Sequence, residues 1–275
     1  MQSTFLRAAL IGATVVAAAC NDGATDPEST TSARIAPDVA FDHETVAEPH
    51  DVRIVRATGD IVPAVGEYRD LLGALNPNVK DEQPGGRREI NWDAVPAAVT
   101  NTDNFPADFF NVNSPRGVVF STDGTGFRIS DKGYVDVNPH YAGEFNTFSP
   151  TKLFVARGST IIDVSFFVAG SQTPATVTGF GSVFEDVSRG SSTTIEYFDV
   201  NGHRLLKLAV PKKSDERGLS FAGAVFASRI VAKVRITAGN TPIGADAFDG
   251  VKVGGKKIDL VVTDDFIYGE PRAIN

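Results

Sequence analysis

Cysteine is almost missing from this chain: Cys20 is the only one in 275 residues. Whatever folds beyond it has no disulfide and no cysteine nucleophile, so its stability must come from burial, which a chain of this length can supply. Histidine is scarce as well. His140 and His203, the two in the later part of the chain, have no metal-ligand spacing to each other. No Gly-x-Ser-x-Gly elbow occurs, which removes the local signature of a serine hydrolase. Gly179 and Gly181 begin a glycine pattern, but Phe184 stands where a third glycine would be needed and strand-like residues follow, which argues against a nucleotide loop. Positive charge is in deficit, with 26 Lys and Arg against 34 Asp and Glu and a formal net charge of −8. Affinity for phosphate backbones rests on Lys and Arg clusters, so nucleic acid is not expected as a partner.

What is present begins at the amino end. Arg7 is followed by an uncharged run, Ala8 to Ala19, that closes on three small residues, Ala17, Ala18 and Ala19, directly before Cys20. One positive charge, a short apolar run and small residues at a cleavage point are what the secretion machinery and its peptidases read. The run is shorter than the about 20 residues needed to span a hydrocarbon core, so a transmembrane helix is not expected. The segment resembles the lipobox of bacterial lipoproteins, with Ala17 where that pattern usually carries Leu. The resemblance implies a signal peptide over 1–19 and an acylated Cys20 at the mature amino terminus, although an ordinary signal peptide with an incidental cysteine is the alternative. Each buried methylene adds roughly 0.8 kcal/mol, so two or three acyl chains would hold the protein on a membrane. The location expected is the bacterial cell envelope, with the leaflet left open.

After Cys20 the chain turns polar: Asn21, Asp22, Gly23, Thr25, Asp26, Pro27 and Ser29 to Ser32 include hardly an apolar side chain. Such a stretch cannot bury enough surface to offset its ordering entropy, so 20–50 is expected to be a disordered tether. Its mean reach as a flexible chain is roughly 30 Å.

Residues 51–275 read as one all-β domain, an antiparallel sandwich with a single short accessory helix near its start. The 26 Gly and 15 Pro supply turns, and 19 Phe against 5 Tyr, 1 Trp and 1 Met point to a core built on phenylalanine. Ile61, Val65, Tyr68 and Leu72 recur at helical spacing between Asp60, a candidate cap, and Gly73, a candidate stop. Beyond them the period is two. Ile230, Ala232, Val234 and Ile236 alternate with Lys233, Arg235 and Thr237, as in a strand with one wet face. Segments 193–199 and 204–210 flank Asn201-Gly202, a hairpin signal. A second hairpin is expected from 118–120 and 127–130 around Asp123 to Gly126. Further strands are expected at 152–155, 160–168, 175–184, 219–226 and 258–263.

Several of these segments carry a second resemblance. GFGSVFEDV, TTIEYFD, LSFAGAVF, VRITAGN and TDDFIYGEP, together with GRREINWD, FPADFFN and SPRGVVF upstream, are similar to a group of exported bacterial proteins of uncharacterised function. That resemblance implies a jelly-roll-like sandwich, often with a carboxy-terminal surface-sorting signal, whose place the acylated cysteine is expected to take. It implies no activity.

Candidate sites rest on two residue classes. Asp264 and Asp265 end an expected strand, and Asp246 and Asp249 lie with Gly244 and Gly250 in the loop before it; clustered hard oxygens suit a structural calcium ion, although Asp and Gly are also ordinary turn formers. Trp92, between Asn91 and Asp93, and Tyr134 and Tyr141, around the Asn138–His140 turn, are flat rings in polar surroundings that can stack on a sugar ring or pack inward. Glu196 and Asp199 lie an odd number of residues apart on a strand, so they point to opposite faces and cannot act as a glycosidase pair. Glu185, Arg87, Arg88 and Glu89 read as solvated surface charges. The functional expectation is an exported, membrane-tethered, non-catalytic surface module that binds carbohydrate or another envelope component. A polysaccharide hydrolase on the same fold, or a purely structural envelope protein, is the alternative.

Overall fold

The computed structural model describes residues 51–213 and 217–274; the expected signal peptide, Cys20 and the expected tether lie outside the described residues. In chain order the strands are β1 (Val52–Thr58), β2 (Arg87–Ile90), β3 (Val118–Ser121), β4 (Gly126–Ser130), β5 (Leu153–Arg157), β6 (Ile161–Phe166), β7 (Ala175–Thr176) and β8 (Gly179–Glu185). Then follow β9 (Thr194–Phe198), β10 (Arg204–Ala209), β11 (Leu219–Phe226), β12 (Lys233–Thr237), β13 (Lys252–Val253), β14 (Lys256–Lys257), β15 (Val262–Gly269) and β16 (Arg272–Ala273). Helix α1 (Val62–Leu72) follows β1, and a single turn, α2 (Phe109–Val112), precedes β3.

Two antiparallel sheets carry the fold. The larger runs β1-β11-β8-β15-β5-β4, with β2 also paired to β15, and the smaller runs β10-β9-β12-β6-β3. From β3 onward the chain repeatedly crosses from one sheet to the other, so the protein is an all-β sandwich of jelly-roll-like connectivity. The expected Asn-Gly hairpin is β9–β10. The second expected hairpin is not one: β3 pairs with β6 in the small sheet and β4 with β5 in the large sheet. Asp123 to Gly126 turn the corner between layers, and Gly124 is needed there because a Cβ would collide with the carbonyl of Arg157. The strand expected from Ile258 is β15 and starts at Val262, and the alternating segment narrows to Lys233–Thr237.

The inter-sheet core is aromatic. Phe120, Phe127, Phe154, Phe180 and Phe266 meet there, each buried ring contributing roughly 1.5–3 kcal/mol relative to exposure. The large sheet is buried on its outer face too, so β8 and β15 have no exposed residue. One half of that face is covered by α1, whose Val65, Tyr68 and Leu72 pack on Val183, Phe221 and Ile267. Gly181 and Gly223 sit opposite each other in β8 and β11, and a Cβ on either would lie within 2.9 Å of the Tyr68 ring. Their bare backbone lets the ring lie close on the sheet, where its hydroxyl donates to the Ala224 carbonyl at 3.1 Å. The other half is covered by the 134–145 and 243–260 segments, around Tyr134, Tyr141, Leu153 and Leu260.

A further departure from the sequence reading lies in β2, which pairs with β15. Arg87, Arg88 and Glu89 form strand β2, not a solvated loop, and Arg88 is fully buried. Its guanidinium meets Glu270 through two bonds of 2.6 and 2.7 Å and donates to the carbonyls of Val79, Asp81 and Pro115. Glu270 also accepts from Asn76 Nδ2 at 2.8 Å and the Gln83 amide at 3.0 Å. A buried charge pair is tolerated when both members are saturated in this way.

Candidate functional site

The three candidate ligand-stacking rings all turn inward. Trp92 is 1% exposed and has a left-handed backbone, φ 66°, immediately beyond β2. That conformation is costly for a bulky residue, and here it directs the indole between the sheets. The ring stacks on Phe154 at 4.1 Å and 10°, and meets Phe266 and Phe110 edge-on. Its Nε1–H donates to the Asp264 carbonyl at 2.7 Å. Tyr134 is fully buried against Phe145, and burial pushes its hydroxyl well above its ordinary value. Tyr141 is 2% exposed, and its hydroxyl lies 2.8 Å from the Gly244 carbonyl and 3.0 Å from that of Ala247. None of the three offers a face to a sugar: Trp92 lies between the sheets, and Tyr134 and Tyr141 pack in the cover of the large sheet's outer face.

The four aspartates read as one calcium set separate into three places. Asp246 is exposed. Asp264 and Asp265 are both buried, at a β-bulge: Thr263 pairs with Phe184 and Phe266 with Ser182, so two residues of β15 oppose one of β8. A bulge re-aims side chains, which is how consecutive aspartates, normally on opposite faces, both reach Ser149. Its Oγ lies 3.0 Å from Asp264 Oδ1 and 2.7 Å from Asp265 Oδ1. The Phe148 amide donates to Asp264 at 2.6 Å, and Arg69 stands 3.6 Å from Asp265 while forking Glu89 at 2.8 and 2.9 Å. Burial, then the charge of Asp265, pushes the Asp264 carboxyl up. Through Ser149 and the Phe148 amide the pair clamps the 146–151 segment onto the sheet.

Asp249 goes elsewhere, to the rim where β8 ends. There Glu144, Asp186 and Asp249 bring carboxylate oxygens within 4.8 Å of one another. Asp186 is 2% exposed, and its Oδ2 has no hydrogen-bond partner among the described residues. Burial and then the charges of Asp249, Glu144, Asp259 and Glu185 push its carboxyl up to about 8. Glu185, fully buried rather than solvated, is also raised to about 8, by burial. One of its oxygens accepts from the Asn146 amide at 3.0 Å. Asp259 is satisfied: Ser188 donates through its amide and its hydroxyl, and the Ser192 hydroxyl takes the other oxygen.

No family model, curated protein or solved structure matches the chain. The chemistry of the rim must therefore be read from its own atoms. A concavity of about 460 Å³ lies elsewhere, lined by Leu71, Val225, Phe226, Arg229 and Arg272 among others. Arg229 is spent there on the carbonyls of Arg272 and Ala273.

Glu144 and Asp186 escaped the sequence reading. The available signal was the acidic pair Glu185-Asp186 directly ending the apolar strand GFGSVF, since acids continuing an unbroken apolar run belong to a buried neighbourhood. Nothing local marks Glu144, which reaches the rim only through the fold of the 134–145 segment.

Proposed function

We propose that the protein is an exported, non-catalytic module of the bacterial cell envelope, tethered to a membrane by acyl chains on Cys20 and holding its sandwich out in the aqueous phase. The observation that carries this reading is the run from Arg7 through Ala17, Ala18 and Ala19 to Cys20, followed by a polar stretch that gives way to sheet at β1. The partner proposed is a component of the envelope. Because Trp92, Tyr134 and Tyr141 are built into the core, a carbohydrate would have to be recognised through polar groups or the concavity beside Arg229 and Arg272, not by aromatic stacking. The burial of Asp186, Glu185, Asp264 and Asp265, which keeps these acids away from a ligand in solution, supports a non-catalytic role.

Mass spectrometry of the native product tests the tether. A mature chain beginning at an acylated Cys20 is expected, and Cys20→Ala should move the protein from the membrane fraction to the soluble one. An intact leader or an unmodified thiol would overturn the reading. A glycan array probed with the purified protein tests the carbohydrate partner separately.

A further inference from the structure

We propose that Glu144, Asp186 and Asp249 form a calcium site at the rim of the sandwich. The assignment does not depend on the tether. Three distant stretches of chain converge there, with ligand oxygens within 4.8 Å of one another. Like charges held that closely repel unless a proton or a cation lies among them. The observation that points to a cation is Asp186 Oδ2, an oxygen on a side chain 2% exposed that receives no hydrogen bond from the described residues. An isolated buried carboxylate oxygen is expensive, and metal coordination is one of the few ways to satisfy it.

The frame is rigid enough to hold an ion. The Glu144 amide donates to the Tyr141 carbonyl at 3.0 Å, and the Asp186 amide to the Gly218 carbonyl at 3.2 Å. Asp249 Oδ1 accepts from the Leu260 amide at 2.9 Å. The loop carrying Asp249 is pinned from below by Tyr141 and by Asn138, whose Nδ2 donates to the Ala247 carbonyl at 3.2 Å. Partners of this kind fix ligating groups in place. Glu185 and Asp259 add negative field from behind, while Lys213 acts on Glu185 and Lys257 on Asp249 as partial counterweights.

Donor chemistry selects the metal. All three ligands are hard carboxylate oxygens, and no histidine or cysteine is in the set, which disfavours zinc. Magnesium holds most of its water and is usually bound by one or two carboxylates, whereas calcium accepts six to eight oxygens in flexible geometry. The remaining positions fall to water or loop carbonyls. In a chain with a single cysteine, the ion supplies the cross-link between loops that a disulfide would otherwise provide.

The test uses the full chain, stripped with chelator, with thermal unfolding and calorimetry read against CaCl₂ and, separately, MgCl₂. Affinities of extracellular calcium modules, about 0.1–1 mM, predict a Tm rise of about 3–10 °C at about 10 mM calcium for a domain of this size. Magnesium should give a smaller rise. Asp186→Asn and Asp249→Asn should each weaken calcium binding about tenfold or more, while Asp246→Asn, on the exposed side of the same loop, should leave it unchanged. In chelator, Asp186→Asn should melt no lower than the parent chain, because it relieves repulsion; that separates loss of a ligand from loss of the fold. If Asp186→Asn does not fold, Asp249→Asn carries the same test. No calcium effect on the parent chain, or an undiminished effect in the folded variants, overturns the assignment.

Discussion

The two ends of β8 and β15 place buried acids in opposite circumstances. At one end, just past Gly269, Glu270 is fully engaged by Arg88, Asn76 and the Gln83 amide. At the other, where Val262 pairs with Glu185, five acids gather: Glu144, Glu185, Asp186, Asp249 and Asp259. The strands between them are equally buried, so the difference is not one of depth. It is one of partners. The first end is complete within the chain and serves stability; at the second, Asp186 Oδ2 has no hydrogen-bond partner among the described residues and the neighbouring acids add to its negative field.

The comparison breaks most directly at the completed end. Arg88→Met would leave Glu270 buried and unpaired, and a cost of about 3–5 kcal/mol is expected in urea denaturation. The double variant Arg88→Met with Glu270→Leu should recover much of that loss, because it removes both charges. If the single variant is no less stable than the parent chain, the pair does not have the role assigned to it.

At the rim the next effect is one of pH. Asp186 and Glu185 have folded-state pKa values of about 8, well above their ordinary values, chiefly through burial. The folded state then binds more protons than the unfolded one, so stability falls as pH rises from about 4 to 8 and levels off above. Denaturation in chelator across that range should show the fall, and Asp186→Asn should reduce it to the part that Glu185 contributes. Calcium favours the ionised form, so its addition should also reduce the slope. A rim whose stability is flat with pH in chelator would mean that the acids are not under strain.

Midway along β15, Ser149 spans the Asp264–Asp265 bulge, and Ser149→Ala should cost about 1–3 kcal/mol by leaving buried carboxyl oxygens without their donor. Chemical denaturation near pH 7 measures it. A loss near zero would show that the two aspartates satisfy each other unaided.

Legibility in the sequence divides along the same line as the chemistry. Helix α1, the β9–β10 hairpin and β11 were readable because their signals are local: helical spacing from Ile61 to Leu72, the Asn201-Gly202 turn, and an apolar run bounded by turns. What failed depended on layers meeting. A strand-turn-strand pattern from Val118 to Ser130 does not show that its halves enter different sheets. Charge in GRREINWD looks solvated until β2 pairs with β15, which buries Arg88 against Glu270 and brings Glu89 to Arg69. Of the three clustered rim acids only Asp249 stood among the sequence candidates, since a loop of Asp and Gly suggests a cation locally, whereas Glu144 and Asp186 become its neighbours through folding alone. Trp92, Tyr134 and Tyr141 looked available for a ligand because their sequence neighbours are polar, and their spatial neighbours are not.

The smallest effect concerns an acid that has what Asp186 lacks. Asp199, at the β9–β10 turn, accepts from the amides of Asn201 and His203 at 2.8 Å each. A slight desolvation is outweighed by those amides, His203 first, and its carboxyl is held below the ordinary value. The sign is therefore opposite to that at the rim: the contribution is present above the unfolded pKa and is lost as pH falls through the folded one. Asp199→Ala should cost about 0.5–1.5 kcal/mol near neutrality, and the deficit should fade below about pH 4 as the parent carboxyl protonates. Denaturation of the two chains at neutral and acidic pH measures both the size and the fading. A deficit that persists unchanged in acid would assign the effect to turn geometry instead of charge, and would remove Asp199 as the satisfied counterpart of Asp186.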